Sequence, residues 1–349
     1  MQPIRVGIAG FGMSAHIFHA PFLAADPRYE IRKFFLRSGE ASKTEYPNAE
    51  IVRTFEELLT DDIDLVVLSV PNPLHYEMAK QALLANKHVV VEKPITRTAA
   101  EAQELCDLAG AQGKILSVYQ CRRFDGDFRT VQQTVESGKL GEVVDYTAHF
   151  DRYWWGTSNK AWKTSGAPGI NILYDLGVHI IDQAYVLFGM PKAVYADFQR
   201  QREQTNAPFD QFTVTLYYDT HHATLSAGEV VALPGPRYAV HGRKGSFLKY
   251  GQDVQEAALI AGKRPVGDPD WGKDTPENYG TLKIMGEQGA FTMEQVETIP
   301  GSYGLFYDNL YHAITAGAEL LVKPEQTLDV LRILEAALQS GKEKRMIEL

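Results

Sequence analysis

Ile4-Arg5-Val6-Gly7-Ile8-Ala9-Gly10-Phe11-Gly12-Met13-Ser14-Ala15 is the stretch on which the reading of this chain turns. A short apolar run bounded by glycine reads as a buried strand, and it leads into a G-x-G-x-x-A string. Gly10 permits a tight turn, Gly12 lets backbone approach a pyrophosphate, and the small Ala15 allows a helix to pack closely on the strand. A helix opening at Met13 and Ser14 would turn its free N–H groups and the positive end of its dipole toward phosphate. The string alone is weak. Its setting, with a strand before it and a helical pattern after it, points to dinucleotide binding. An unoccupied structural turn is the other reading.

Working outward, apolar runs recur at residues 31–36, 65–70, 89–92 and 115–119, with helical periodicity at 75–86 and 98–112 between them. Non-alternating strands separated by helices indicate a parallel sheet covered on both faces, a doubly wound α/β domain. After about Arg123 the rhythm changes to longer stretches of period 2, at 142–152, 193–200, 211–218, 223–231 and 238–240. These predict a largely antiparallel sheet. An apolar helix is expected over 172–188, closed by Gly189 and Pro191, and two more over 305–316 and 327–339. The fold expectation is α/β: a Rossmann domain over 1–122, then an α+β domain over 123–349 with a large open, mainly antiparallel sheet. A C-terminal helix is expected to pack back on the first domain. Residues 253–278, rich in Pro, Gly and charge, read as an inserted loop.

A chain of 349 residues suits two domains at roughly 100–200 residues each. A net charge of -9 excludes a general nucleic-acid or membrane-surface binder, because either needs concentrated positive charge. No apolar run reaches the roughly 18–20 residues of a membrane span, and no secretory signal pattern opens the chain. Cys106 and Cys121 match no zinc spacing and make a disulfide scaffold unexpected. A cytoplasmic, reducing location is the expectation.

In a dinucleotide-binding domain the second strand ends in an acid when the ribose 2′-OH of NAD is bound. Here it ends Phe35-Leu36-Arg37-Ser38, and Arg37 and Ser38 offer donors where an acid would repel a 2′-phosphate. NADP is therefore preferred over NAD, unless Arg37 only stacks on adenine. Ligands bind beyond the carboxyl ends of the strands, and two such ends carry polar residues. One is Pro71-Asn72-Pro73-Leu74-His75 and the other Glu92-Lys93-Pro94. A lysine directly after a buried strand is unusual unless paired or working; a rim ion pair with Glu92 is the alternative. Asp175 and His179 are four apart on the apolar helix and share a face. Histidine titrates in the range that suits proton transfer, yet an Asp-His pair also serves as a structural contact. A metal site with Asp182 as third ligand lacks any further ligand spacing, and none is expected.

Together these residues resemble the Gfo/Idh/MocA family of NAD(P)-dependent oxidoreductases over essentially the whole chain. The likeness rests on the Gly10 to Ala15 turn, Pro71-Asn72-Pro73-x-His75, Glu92-Lys93-Pro94 and Asp175-x-x-x-His179. Phe18-His19-Ala20-Pro21-Phe22, Arg122-Arg123-Phe124-Asp125, His149-Phe150-Asp151-Arg152 and Asp182-Gln183-Ala184 look like the branch holding NADP-dependent scyllo-inositol 2-dehydrogenases. The resemblance implies that Lys93, Asp175 and His179 line a substrate site and that the Lys93–Pro94 peptide is often cis. It also implies that Gly10, Gly12, Met13, Ser14, Ala15, Arg37, Ser38, Pro71, Asn72, His75, Glu92 and Lys93 serve the cofactor, with Asn72 near the nicotinamide ribose. It implies a homodimer or homotetramer formed through the C-terminal sheet.

The expected chemistry is hydride transfer between nicotinamide and a secondary alcohol of a cyclic polyol or sugar. His179 would act as base, Lys93 would bond the developing alkoxide, and Asp175 would orient substrate or His179. Arg123, Arg152, Tyr153 and Trp162 offer groups suited to hydroxyls and sugar C–H faces, or are surface and sheet residues. Trp154-Trp155 reads as part of a flap or a subunit contact. Reduction of another sugar-like carbonyl and cofactor sensing without turnover are the competing functions.

Overall fold

The computed structural model describes residues 2–156, 169–203, 205, 207–286 and 289–349. Two compact units divide the chain. The first comprises Met1–Cys121, Gln255–Trp271 and Ser302–Leu328, and the second Arg122–Val254, Gly272–Gly301 and Asp329–Leu349.

The first unit is built on six strands: β1 (Ile4–Ala9), β2 (Tyr29–Phe35), β3 (Glu50–Val52), β4 (Leu65–Leu68), β5 (His88–Glu92) and β6 (Leu116–Tyr119). Every pairing is parallel and the order is β3-β2-β1-β4-β5-β6. This is the doubly wound order whose direction reverses between β1 and β4, leaving a crevice at their carboxyl ends. The apolar runs follow from burial on both faces: Val6, Ile8, Leu65 to Leu68 and Val89 to Val91 are all without exposed surface. Helices α1 (Ala20–Ala25), α2 (His75–Leu84) and α3 (Ala99–Gln112) make the connections. Helix α3 has a clear start and stop. The Thr98 hydroxyl accepts the Glu101 N–H at 3.2 Å, and Gly113 closes the helix at φ +59°.

The second unit holds a nine-stranded sheet of β7 (Val143–His149), β8 (Ala193–Gln199), β9 (Gln211–Tyr217), β10 (His222–Gly228), β11 (Tyr238–Gly242), β12 (Gly245–Lys249), β13 (Gly280–Met285), β14 (Phe291–Val296) and β15 (Ile347–Glu348). The order is β14-β13-β12-β11-β7-β10-β9-β8-β15, antiparallel throughout except for β7 beside β10. Alternation sends Tyr146, Val214, Leu225, Val240 and Phe247 into the core. The intervening Thr147, Thr215, Thr224, His241 and Ser246 stand on the opposite, partly exposed face. Helices α4 (Gly126–Glu136) and α5 (Val178–Phe188) cover the core side. There the Phe128 ring lies 6.5 Å from Tyr238 and that of Phe188 5.3 Å from Tyr146.

Part of the inserted stretch belongs to the first unit and carries helix α6 (Gln255–Ile260), packed on residues 15–19. Helix α7 (Gly304–Ala316) also counts with the first unit, where the Tyr307 backbone oxygen accepts the Tyr29 hydroxyl at 2.7 Å. Helix α8 (Pro324–Glu343) follows, and its Gly341 leaves no room for a Cβ against the Phe198 ring of β8.

Candidate active site

In the first unit, β1 ends at Gly10, whose φ is +91°; a Cβ there would lie 2.5 Å from the Ser69 carbonyl oxygen. Only glycine fits. At Gly12 a Cβ would meet nothing within 4 Å, so the backbone is open to an approaching ligand. Met13 is exposed at the same turn, while Ala15 is fully buried and lets the helix close on the strand. The helix does not begin as a regular α-helix: Ala15–His19 is a π-helical turn running into α1. Pro21 stands in the first turn of α1, where its ring would crowd the carbonyl four residues back, and the wider turn relieves that.

The Ser14 hydroxyl donates to Oε1 of Glu92, the last residue of β5. The same oxygen lies 2.8 Å from His19 Nε2, and Oε2 accepts the Lys93 N–H at 3.1 Å. Burial pushes the Glu92 carboxyl up, but His19, Ser14 and the Lys93 charge together hold it below its ordinary value. Glu92 is thus an ionised acceptor at the junction of the glycine turn and the lysine. Lys93 is half-buried, and its bond to Pro94 is cis.

After β4, Pro71 leads into a short 3-10 turn at Asn72–Leu74 and then α2. Asn72 Nδ2 donates to the Pro94 carbonyl at 3.1 Å, while its Oδ1 is buried with no hydrogen-bond partner. His75 is buried with its ring nitrogens 2.8 Å from the Pro94 oxygen and 2.9 Å from the Val70 oxygen. Burial drives its pKa down, so a neutral ring donates to one of the two carbonyls. His75 therefore ties the turn after β4 to the turn after β5 through backbone atoms. An open Gly12, a Gly10 with no room for a side chain and an orphaned buried Asn72 acceptor fit a dinucleotide lying across the carboxyl ends of β1 and β4.

At the end of β2, Arg37 and Ser38 are exposed. Arg53, just past β3, escaped the sequence reading. Its Nη1 donates to the carbonyls of Leu36 at 3.1 Å and Gly39 at 2.8 Å, and its Nη2 lies 3.8 Å from the Glu40 carboxylate. It braces the loop that presents Arg37 and Ser38.

In the second unit the helix expected over 172–188 opens with a π-helical turn, Leu173–Gly177, before α5. Asn171 caps it, with Oδ1 accepting the N–H groups of Leu173 at 3.0 Å and Tyr174 at 3.1 Å. A Cβ at Gly177 would come within 2.5 Å of the Leu173 side chain and 3.2 Å of the Phe212 ring. Gly177 thus lets core side chains pack closely against this turn. Asp175 is half-exposed and His179 is buried, with its ring 6.2 Å from that of Phe150.

Arg152 Nη2 lies 2.5 Å from Glu229 Oε1 and 3.9 Å from Asp175 Oδ2. Glu229 is itself buried and bonded to Arg202, which also pairs with Asp210 at 2.9 Å. Arg202 donates to the backbone oxygens of Trp154 at 2.8 Å and Gly156 at 3.3 Å. Sequence reasoning found Arg152 and missed Glu229 and Arg202, whose pairing spans strands with no local signature. Arg123 makes a buried two-point ion pair with Asp182, at 2.8 and 2.7 Å, so its guanidinium is committed to the core of this unit. Tyr153 is exposed beside a bridge to Val230, and Trp162 lies outside the described residues.

A parallel sheet of this order, a glycine turn at its reversal point and polar groups at the strand ends define a Rossmann-type dinucleotide-binding domain. Comparison with known proteins makes the class specific. Residues 4–120 match the NAD-binding Rossmann fold of the Gfo/Idh/MocA oxidoreductases, and residues 132–349 match the C-terminal alpha/beta domain of the same family. The chain belongs to the Gfo/Idh/MocA family and is an oxidoreductase. It is 42% identical to scyllo-inositol 2-dehydrogenase (NADP(+)) IolW of Bacillus subtilis, covering 100% of this chain and 97% of that one. It is 40% identical to an uncharacterized oxidoreductase of Schizosaccharomyces pombe, with all of both chains covered. Among solved structures, the oxidoreductase yvaA of Bacillus subtilis superposes with a TM-score of 0.96 at 41% identity, over 100% of this chain and 99% of that one. No helix among the described residues is long and apolar enough to cross a membrane.

Proposed function

We propose that this protein is an NADP(H)-dependent dehydrogenase of a cyclic polyol, with scyllo-inositol as the substrate to test first. The observation that carries the reading is the end-to-end 42% identity with an enzyme of that activity. The end of β2 supports the cofactor choice: Arg37 and Ser38 stand there in place of an acid, on a loop braced by Arg53. A bound nicotinamide would supply the acceptor for the hydride of the alcohol carbon, or its donor in reduction.

The chain's own groups manage the remaining charge. His179 takes the hydroxyl proton as the carbonyl forms, and gives it back in reduction. The Lys93 ammonium donates a hydrogen bond to the oxygen as it gains alkoxide character. Asp175 orients the reacting hydroxyl, with Arg152 held beside it by Glu229. Asn72 Oδ1 accepts from a ribose hydroxyl. The partly exposed Thr- and Ser-rich face of the nine-stranded sheet supports association of copies through that sheet, a dimer or tetramer to be read by light scattering. The location assigned is the cytoplasm.

Initial rates with NADP or NAD and a panel of inositols and aldoses test the reading. Turnover of scyllo-inositol with NADP is the expected result. Turnover of an aldose alone would discard the inositol, preference for NAD would discard the cofactor choice, and nucleotide binding without turnover on any member of the panel would favour a sensor.

A further inference from the structure

One buried titratable group has no part in that chemistry. His19, in the Phe18-His19-Ala20-Pro21-Phe22 stretch, has no exposed surface and lies between two partners from distant parts of the chain. Its Nε2 is 2.8 Å from Glu92 Oε1, and its Nδ1 is 2.5 Å from the Tyr307 hydroxyl on α7. The rings of Tyr119 and Tyr307 stand 4.4 and 6.2 Å from the His19 ring. Tyr307 is held in turn by the Tyr29 hydroxyl on its backbone oxygen.

Donor counting gives this chain a direction. An ionised Glu92 only accepts, so His19 Nε2 carries a proton and donates to it. His19 Nδ1 shares the second bond with the Tyr307 hydroxyl. The chain runs from Tyr307 through His19, whose N–H donates to Glu92, with Glu92 also taking the Ser14 hydroxyl and the Lys93 backbone N–H. Ser14 belongs to the turn that faces the nucleotide and Lys93 is the residue assigned to the substrate oxygen. Fully satisfied buried networks of this kind hold one geometry, because each member left unpaired is costly.

We propose that His19 and Tyr307 are positioning residues: they orient Glu92 so that one carboxylate joins the phosphate-binding turn to the Lys93 turn. The Lys93 half of this inference rests on the function proposed above; the turn half does not.

The test uses the full-length protein with two readouts, kcat and the Kd of NADP(H) by calorimetry, on variants whose melting lies above the assay temperature. His19→Leu removes both hydrogen bonds and should lower kcat about tenfold with little change in polyol KM, the size expected for one buried hydrogen bond left unmade. It should also weaken nucleotide binding. His19→Gln keeps a donor for Glu92 and a hydrogen-bonding group for Tyr307 and should recover most of both losses. Tyr307→Phe should move both readouts the same way by less, and serves alone if His19→Leu fails to fold. Wild-type kcat and Kd in a folded His19→Leu or Tyr307→Phe protein would overturn the proposal, as would a folded His19→Gln as defective as His19→Leu. Lys93→Met is the reference: normal turnover in that variant sinks the assignment of Lys93, while the nucleotide Kd of His19→Leu still tests the joint.

Discussion

Glu92 is bonded to one π-helical turn and Asp175 lies within another, and the surroundings of the two carboxylates are opposite. Glu92 receives Ser14, His19 and the Lys93 N–H, and lies deep enough that its partners, not water, settle its charge. Asp175 is half-exposed, and its neighbour Arg152 is bonded more closely to Glu229 than to it. The difference separates two tasks. A carboxylate saturated by fixed donors holds backbone in place, whereas one at the surface can be reached by a hydroxyl from solvent. The same division runs through the basic residues. Arg123 is spent on Asp182 and His75 on two carbonyls, while Lys93 and Arg37 keep exposed surface.

That division is broken most directly by exchanging rate for stability. Lys93→Met should lower turnover by roughly 10³-fold, the range seen for loss of one positioned acid, base or oxyanion donor. Its melting temperature should stay near that of the parent. A variant that melts early yet turns over normally would place Lys93 with the structural residues. Asp182→Ala should do the reverse: it removes the two-point carboxylate partner of the buried Arg123 and should cost about 3–5 kcal/mol of stability. Denaturant titration of the second unit's fluorescence measures this, and an unchanged midpoint would show that Arg123 is not held as the geometry implies.

Which residues fall on which side was only partly legible in the sequence. The glycine turn and Glu92-Lys93-Pro94 could be read because uninterrupted apolar strands precede them, and Asp175 and His179 because an apolar helix makes polar residues conspicuous. Strand β3 is three residues long and left no period to detect. Strand β14 is exposed at five of its six positions, so it has no buried face to announce it. The two π-helical turns have no residue signature of their own. The partnerships are harder still: Glu92 is 73 residues from His19, and His19 is 288 from Tyr307. Spacing along the chain carries no trace of contacts like these. Glu92 therefore reads as a rim partner for Lys93 when it is a half-buried acceptor for a serine and a histidine.

A smaller effect is expected at the end of β2, where one arginine braces and another faces solvent. Arg53→Ala frees the carbonyls of Leu36 and Gly39 and should reduce the preference for NADP over NAD by about tenfold, the worth of a charge-assisted bond or two. Arg37→Ala should reduce it as well. If the ratio of kcat/KM for the two nucleotides survives Arg53→Ala, the loop needs no brace and Arg53 is a surface residue.

The finest test separates a histidine that only supports the fold from one that works, by pH. His88 opens β5, and its Nδ1 accepts the Ile115 N–H at 3.0 Å, so a proton there would set donor against donor. Burial first, and the Lys114 charge second, push its pKa down to about 4 from an ordinary 6.5. Between those values the unfolded chain binds a proton that the folded chain refuses. His88 therefore supports the fold fully above pH 6.5, and that support is lost as pH falls toward 4. The slope from one proton is at most about 1.4 kcal/mol per pH unit. His88→Asn can still accept from Ile115 and should flatten the fall in melting temperature between pH 7 and 5, as scanned at roughly half-unit steps. It should leave the pH profile of turnover in place, since His88 lies outside the proposed site. Parallel melting curves for parent and variant would mean that His88 titrates normally, and a displaced turnover profile would mean that a residue assigned to the fold takes part in the chemistry.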